Sequence, residues 1–198
     1  MEPGCARLVV GISGASGVIY GIRALERLRQ AGVETHLVMT QAAKVTLAHE
    51  TDFKVADVEA LASVVHRADD IGAAISSGSF RTLGMLVAPC SIRSLSEIAS
   101  GVTSGLLARA ADVALKERRQ VVLMVRETPL HAGHIKSMLA VTEMGAIVSP
   151  PVPAFYGRPK TIDDLVDHTV GRALDLFGID SEGVHRWQGT RSLDRISR

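Results

Sequence analysis

The hydrophobic pattern of this chain switches repeatedly between short continuous runs and helical spacing. Leu8 to Ile12 is a short apolar run rich in β-branched residues, and from Val18 to Gln30 Ile19, Ile22, Leu25 and Leu28 recur three or four residues apart. A strand followed by an amphipathic helix is predicted, with Ala31-Gly32 as the helix stop. Val33 to Met39 reads as a second strand, and Thr40 as the N-cap of a helix running toward His49-Glu50-Thr51-Asp52. A short helix over 57–62 and a short strand over 64–66 follow. Further strands are predicted at 85–89, 121–125 and 146–149, with helices at 106–118 and 131–143. Thr161 caps a last helix whose buried side is predicted to carry Ile162, Leu165, Val166, Thr169, Val170, Ala173, Leu174 and Phe177, and Gly178 ends it. Continuous apolar strands alternating with helices predict a three-layer α/β fold with a doubly wound, mostly parallel sheet of flavodoxin-like or Rossmann-like character.

Two of the connections are unusual in composition. Ser13-Gly14-Ala15-Ser16-Gly17 has no bulky side chain between the first strand and the first helix. Its small residues let the backbone approach an anion, and the first amides of the following helix lack intrahelical partners. The turn therefore reads either as a phosphate cradle or as glycines that let the helix pack on the sheet. It meets neither the Gly-x-Gly-x-x-Gly spacing nor the P-loop pattern. Cys90-Ser91-Ile92-Arg93-Ser94 is a second strand-to-helix turn, rich in hydroxyls, and two such turns at strand ends suit a ligand crevice. Residues 72–84, mostly small and hydroxylic, are expected to form a loop lining a ligand. The proline-rich segment from Pro150 to Tyr156 is stiff and neither helical nor central strand.

Composition narrows the class. A chain of 198 residues supports one domain, assigned to residues 1–178, with a tail over 179–198 that is polar except for Trp187. Trp187 is expected to pack near the active site or on a neighbouring subunit. The net charge of +1 gives no electrostatic reason to expect nucleic acid or a membrane surface, and apolar runs shorter than ten residues predict no membrane span. A cytoplasmic location is expected. Cys5 and Cys90 form no disulfide framework or zinc spacing, and Cys90 reads as a small residue packed behind a turn.

Several polar residues carry candidate chemistry. Arg126-Glu127, at the end of the most hydrophobic strand, marks either a ligand site or an ion pair closing the strand. Glu50 reads as a candidate base or a helix-end acid, and Tyr156 as a ligand contact or a core plug. His131-x-x-His134 resembles a metal pair without a third ligand, so no metal is expected.

Taken together, Ser13–Gly17, Glu50-Thr51-Asp52, Ser76-Ser77-Gly78-Ser79, Pro89-Cys90-Ser91, Arg109-Ala-Ala-Asp112-Val-Ala-Leu-Lys116-Glu117, Arg126-Glu127-Thr-Pro129, Pro153-Ala-Phe155-Tyr156 and Arg186-Trp187 resemble the UbiX-type flavin prenyltransferases. The match runs in order from residue 7 to about 187. The resemblance implies an enzyme that joins a dimethylallyl group from dimethylallyl monophosphate to N5 and C6 of reduced FMN, making prenylated FMN for a UbiD-type decarboxylase. It implies a homo-oligomer, a dodecamer in the family. By position it implies that Gly14, Ala15, Ser16, Thr40, Ser91, Ile92, Arg93, Ser94 and Arg126 hold FMN. It places Arg109, Lys116, Arg126, Tyr156, Arg172 and Trp187 around the donor, and gives Ser16, Glu50, Glu127 and Lys116 catalytic roles. Ile71 stands where some members carry a tryptophan, so one wall of the prenyl site is aliphatic. An FMN-dependent decarboxylase and a non-catalytic flavin carrier subunit are the alternative readings.

Overall fold

The computed structural model describes residues 6–181 and Arg186. Six strands form one sheet: β1 (Arg7–Ile12), β2 (Glu34–Met39), β3 (Val64–His66), β4 (Gly84–Cys90), β5 (Gln120–Val125) and β6 (Ile147–Val148). Their order is β3-β2-β1-β4-β5-β6, and every pairing is parallel. That is the Rossmann order, in which the chain reverses direction across the sheet between β1 and β4. Seven helices connect or flank the strands: α1 (Val18–Gln30), α2 (Gln41–Glu50), α3 (Val55–Glu59), α4 (Ile92–Ser100), α5 (Leu106–Lys116), α6 (Ala132–Glu143) and α7 (Ile162–Asp175).

The central strands β1, β4 and β5 are almost wholly apolar because both sheet faces are covered there. Leu8, Val10 and Ile12 of β1 point into one core with Ile22, Leu25 and Leu28 of α1, Leu47 of α2 and Val170 and Leu174 of α7. Val9 joins the opposite core, with Val87 and Leu123 of the neighbouring strands, Leu95 and Ile98 of α4, and Leu107 and Ala111 of α5. The period-2 alternation of a strand thus feeds two cores instead of one core and solvent. All seven residues of β4 are buried.

The predicted elements are present, with most ends shifted by a residue or two; the short helix expected over 57–62 runs over Val55–Glu59 instead. Thr40 and Thr161 are N-caps, each accepting a hydrogen bond from the helix's first turn, and Gly178 turns with a φ of 71°. Two expectations need correction. Ile162 is 79% exposed, because it opens α7 before the helix reaches the core. The 72–84 segment is not an open loop: Ala74–Ser76 form a 3-10 turn, Ile75 is buried in the second core, and Phe80 packs against that core.

Phe80 also meets a polar cluster at the start of the sheet. The Arg7 guanidinium lies 5.2 Å from its ring centroid and pairs with Glu34 at 2.9 Å. Glu34 contacts His36 Nε2 at 3.0 Å, and His36 Nδ1 lies 2.9 Å from His66 Nε2 on edge strand β3. The bonds from His36 and Arg7 hold the Glu34 carboxyl below its ordinary range, while burial, with the nearby His36, pushes the His66 imidazole down. The unfolded chain therefore takes up protons at His66 more readily than the folded chain as pH falls through the ordinary imidazole range, so folding stability declines there. The expected result is a thermal midpoint that drops between about pH 7 and pH 5, with a shallower decline in His66→Gln, measured by melting across that range.

Candidate active site

The turns that follow β1 and β4 meet where the sheet reverses, and one buried side chain joins them. Ser13 is fully buried; its hydroxyl donates to the Pro89 carbonyl at 2.9 Å and accepts from the Ser91 amide at 2.7 Å. The Ser13 amide also donates to the Pro89 carbonyl, at 3.2 Å. Ser91 in turn caps α4, its hydroxyl accepting from the Ser94 amide at 3.2 Å and donating to the Ser94 hydroxyl at the same distance. Thr40 caps α2 by accepting from the Ala43 amide at 3.1 Å.

Beside these caps lies a cleft of about 250 Å³ lined by Gly14, Thr40, Ala42, Ser91, Arg93 and Ser94, with Ser104, Gly105 and Ala108 opposite. The cleft receives the N-terminal turns of α2 and α4, whose first amides have no intrahelical partners, together with hydroxyls and the Arg93 guanidinium. That donor set fits a phosphate group. Gly14 is required for the close approach: a Cβ there would sit 2.3 Å from Ala42 Cβ and 3.0 Å from the Ala42 carbonyl carbon.

The amides of α1 are engaged elsewhere. Glu50, at the end of α2, accepts from the Gly17 amide at 2.8 Å and the Val18 amide at 3.3 Å, so its carboxylate caps α1 beside exposed Ser16. Glu50 is thus a helix-end acid and also a carboxylate fixed at the first turn. Gly17 takes a φ of 97°, and a Cβ there would meet the Tyr20 ring at 2.9 Å.

Arg126 and Glu127 close β5 on the same edge of the sheet. The Arg126 amide donates to the Cys90 carbonyl at 3.0 Å, and Glu127 accepts from the Thr128 amide at 3.0 Å. Among the described residues neither side chain enters an ion pair, so the strand-closing pair considered from sequence does not form. Burial pushes the Tyr20 phenol up, and the positive charge of Arg126 opposes that push.

The remaining expected site residues lie elsewhere in the chain. Lys116 ends α5 and pairs with Glu117 at 2.6 Å, at the opposite end of β5 from Arg126. Six strand residues separate the two ends by about 20 Å. Arg109 is half-buried on α5 and pairs with Asp112 at 2.8 Å. The Tyr156 hydroxyl lies 2.8 Å from His168 Nε2 on α7. Arg172 is one turn further along, bound to Asp175, which also takes Arg186. No residue of the 72–84 segment lines the cleft within this chain, contrary to expectation. Ile71 is 62% exposed, and Trp187 lies outside the described residues.

Other candidates have structural places. Cys90 is fully buried, and burial pushes its thiol up to about 12, which leaves it protonated and a poor nucleophile. His131 caps α6, accepting from the Gly133 amide at 3.0 Å, with the His134 ring 3.6 Å from its own. Among the described residues no group of three or more metal-ligating side chains assembles, and no helix is long and apolar enough to cross a membrane. Sequence reasoning missed Ser13 as the residue that joins the two turns. The signal for Ser13 was a hydroxyl directly after a buried strand.

Sheet order, reversal point and cleft together define a doubly wound α/β protein with a phosphate cradle between its first and fourth strands. Residues 2–174 match the family model described as Flavoprotein. The flavin prenyltransferase UbiX of Thauera aromatica is 57% identical over 188 residues, covering 95% of this chain and 97% of that protein. The crystal structure of AnUbiX in complex with FMN and dimethylallyl pyrophosphate superposes with a TM-score of 0.93 at 49% identity, covering 95% of this chain and all of that one. A dodecameric FMN-dependent UbiX-like decarboxylase from Escherichia coli O157:H7 gives 0.90 at 50% identity, covering 92% of this chain and all of that one. This chain belongs to the flavoprotein family and, within it, to the UbiX flavin prenyltransferases.

Replacing Ser13 with Ala leaves the Ser91 amide without its partner inside the protein. The expected loss of stability is about 1–3 kcal/mol, read from the urea midpoint at constant slope.

Proposed function

We propose that this protein joins a dimethylallyl group from dimethylallyl monophosphate to N5 and C6 of reduced FMN, making the prenylated FMN that UbiD-type decarboxylases use. One observation carries the reading: the chain is 57% identical, over nearly its whole length, to a named flavin prenyltransferase. The phosphate-fitting donors of the cleft support it. The decarboxylase alternative has behind it the descriptions of the dodecameric relative and of a phenylacrylic acid decarboxylase from Aquifex aeolicus at 38% identity, whereas curated relatives at the higher identities of 57% and 59% are named flavin prenyltransferases. A flavin carrier needs no second set of cationic residues. Residues 1–178 form the FMN-binding unit in this reading, with 179–198 as its tail, and the reaction is cytoplasmic, where reduced flavin is supplied.

In this assignment Gly14, Ala15, Ser16, Thr40 and the Ser91–Ser94 turn hold FMN, with the phosphate in the cleft and Arg126 at its open side. FMN supplies the nucleophilic ring positions when bound. Breaking the allylic C–O bond builds carbocation character on the donor and negative charge on the departing phosphate, and cations in a water-poor site collect that charge. Lys116, Arg126 and Arg172 are assigned that work, with Arg109 beside them and a hydrogen bond from Tyr156. Ser16 lies close to the reacting centre. Glu127 protonates the released phosphate, and Glu50, fixed by two backbone amides, takes the proton lost from C6.

Lys116 and Arg126 stand at opposite ends of β5, so one chain cannot bring both to one donor. The site is therefore shared between copies: Lys116 and Arg109 of one subunit complete the Arg126 edge of another. A dodecameric relative of 50% identity goes with that arrangement, and Trp187 is assigned to the same shared region.

The test is anaerobic incubation of the purified protein with reduced FMN and dimethylallyl monophosphate, followed by mass analysis of the extracted flavin. A flavin heavier by one C5 unit is expected; unchanged flavin that remains bound would sink the transferase reading. Glu50→Gln is expected to slow product formation by about 10²–10⁴. Lys116→Ala and Arg126→Ala are each expected to be inactive, and co-assembly of the two to restore turnover. Mixed assemblies that stay inactive would show that each site draws both residues from one chain.

A further inference from the structure

The end of α5 that carries Lys116 is built with more care than a surface lysine needs. Arg118 takes a left-handed φ of 56°, and the Arg119 amide donates back to the Ala114 carbonyl at 2.8 Å, which fixes the direction in which the next side chain leaves the helix. The Arg119 guanidinium then donates through one arm to the Phe80 carbonyl and through the other to the Gly78 carbonyl, both at 2.6 Å. Those two bonds clamp the Ser77–Phe80 turn across the helix end. Phe80 is held from its other side by the His36 ring, 4.9 Å away edge to face, and by the Arg7 guanidinium.

The clamped turn presses on the lysine. A Cβ on Gly78 would come within 2.2 Å of Glu117 Oε1 and 2.9 Å of Lys116 Nζ, so the Gly78 backbone forms a wall against that ion pair. Glu117 holds the ammonium at 2.6 Å on one side, and the wall limits its rotamers on the other. A lysine is a point charge on a flexible stem, and restricting it before binding reduces what is lost when it is ordered on a ligand. The Arg119 fork cannot be replaced by a single ammonium, which has no planar pair of donors.

We infer that Arg119 is a positioning residue for donor binding: by clamping the Ser77–Phe80 turn it sets Lys116 in place for the phosphate of the prenyl donor. The inference rests on the assignment of Lys116 to that phosphate. Arg119 does not touch the donor and acts only through the turn and the lysine.

The experiment compares wild type, Arg119→Ala, Arg119→Lys and Gly78→Ala as full-length assemblies, measuring kcat, KM for dimethylallyl monophosphate, FMN affinity and assembly size. Arg119→Ala is expected to raise KM for the donor about tenfold and to lower kcat as well, because a displaced Lys116 meets the phosphate less well both when the donor binds and as the phosphate departs. FMN affinity and assembly size are expected to be unchanged, and Arg119→Lys to fall close to Arg119→Ala. Gly78→Ala keeps Arg119 but displaces the turn, and is expected to raise the same KM. An unchanged donor KM in an assembled Arg119→Ala overturns the inference; if that variant does not assemble, an unchanged KM in Gly78→Ala overturns it. A wild type that makes no prenylated flavin sinks the transferase reading instead. Calorimetric binding of dimethylallyl monophosphate to the FMN-loaded assemblies then decides the inference, with equal affinity in wild type and variants counting against it.

Discussion

A single buried hydroxyl governs the geometry of the cleft. Ser13 lies between the ends of β1 and β4, donating to one turn and accepting from the other. With both sheet faces covered by helices, the carboxyl edge is where backbone amides and side chains remain free to meet a ligand. The reversal of strand order parts the chain at that edge, and Ser13 keeps the parted turns in register. The caps made by Ser91 and Thr40 then point the starts of α4 and α2 at the same space.

The α1 terminus shows how local rules compete. A small-residue turn followed by a helix suggests an anion at its first amides, and an anion is there, but it is the protein's own Glu50. In the proposed function an external phosphate is left to α2 and α4. A carboxylate held by two backbone donors has a fixed position, and fixed position is what a proton acceptor beside a reacting ring needs. The same interaction therefore serves the fold and, in the proposed mechanism, the chemistry.

Charges for the donor are distributed differently. Arg126 and Glu127 follow β5 at the carboxyl edge, Arg109 lies in the first turn of α5 and Lys116 at its far end, and Tyr156 meets α7, which carries Arg172. No bending of one chain unites groups separated by the length of a buried strand. In the proposed function a site assembled from copies solves this and places catalysis under the control of assembly, because the cations assigned to the donor are not brought together within one subunit.

By itself the sequence determined the fold class, nearly every element, and the caps at Thr40 and Thr161. These follow from local periodicity and from side chains that bond within three residues of themselves, so a linear reading suffices. It also determined family membership, because the motifs from Ser13 to Tyr156 are long and ordered. The tertiary structure alone decided that Ser13 bridges two turns across 78 residues, that Glu50 caps a helix other than its own, and that the 72–84 segment packs into a core. It alone decided that Lys116 and Arg126 stand at opposite ends of β5. Each of these depends on which strands become neighbours and in what order, and strand order is set by packing two cores at once, which no local pattern of residues records.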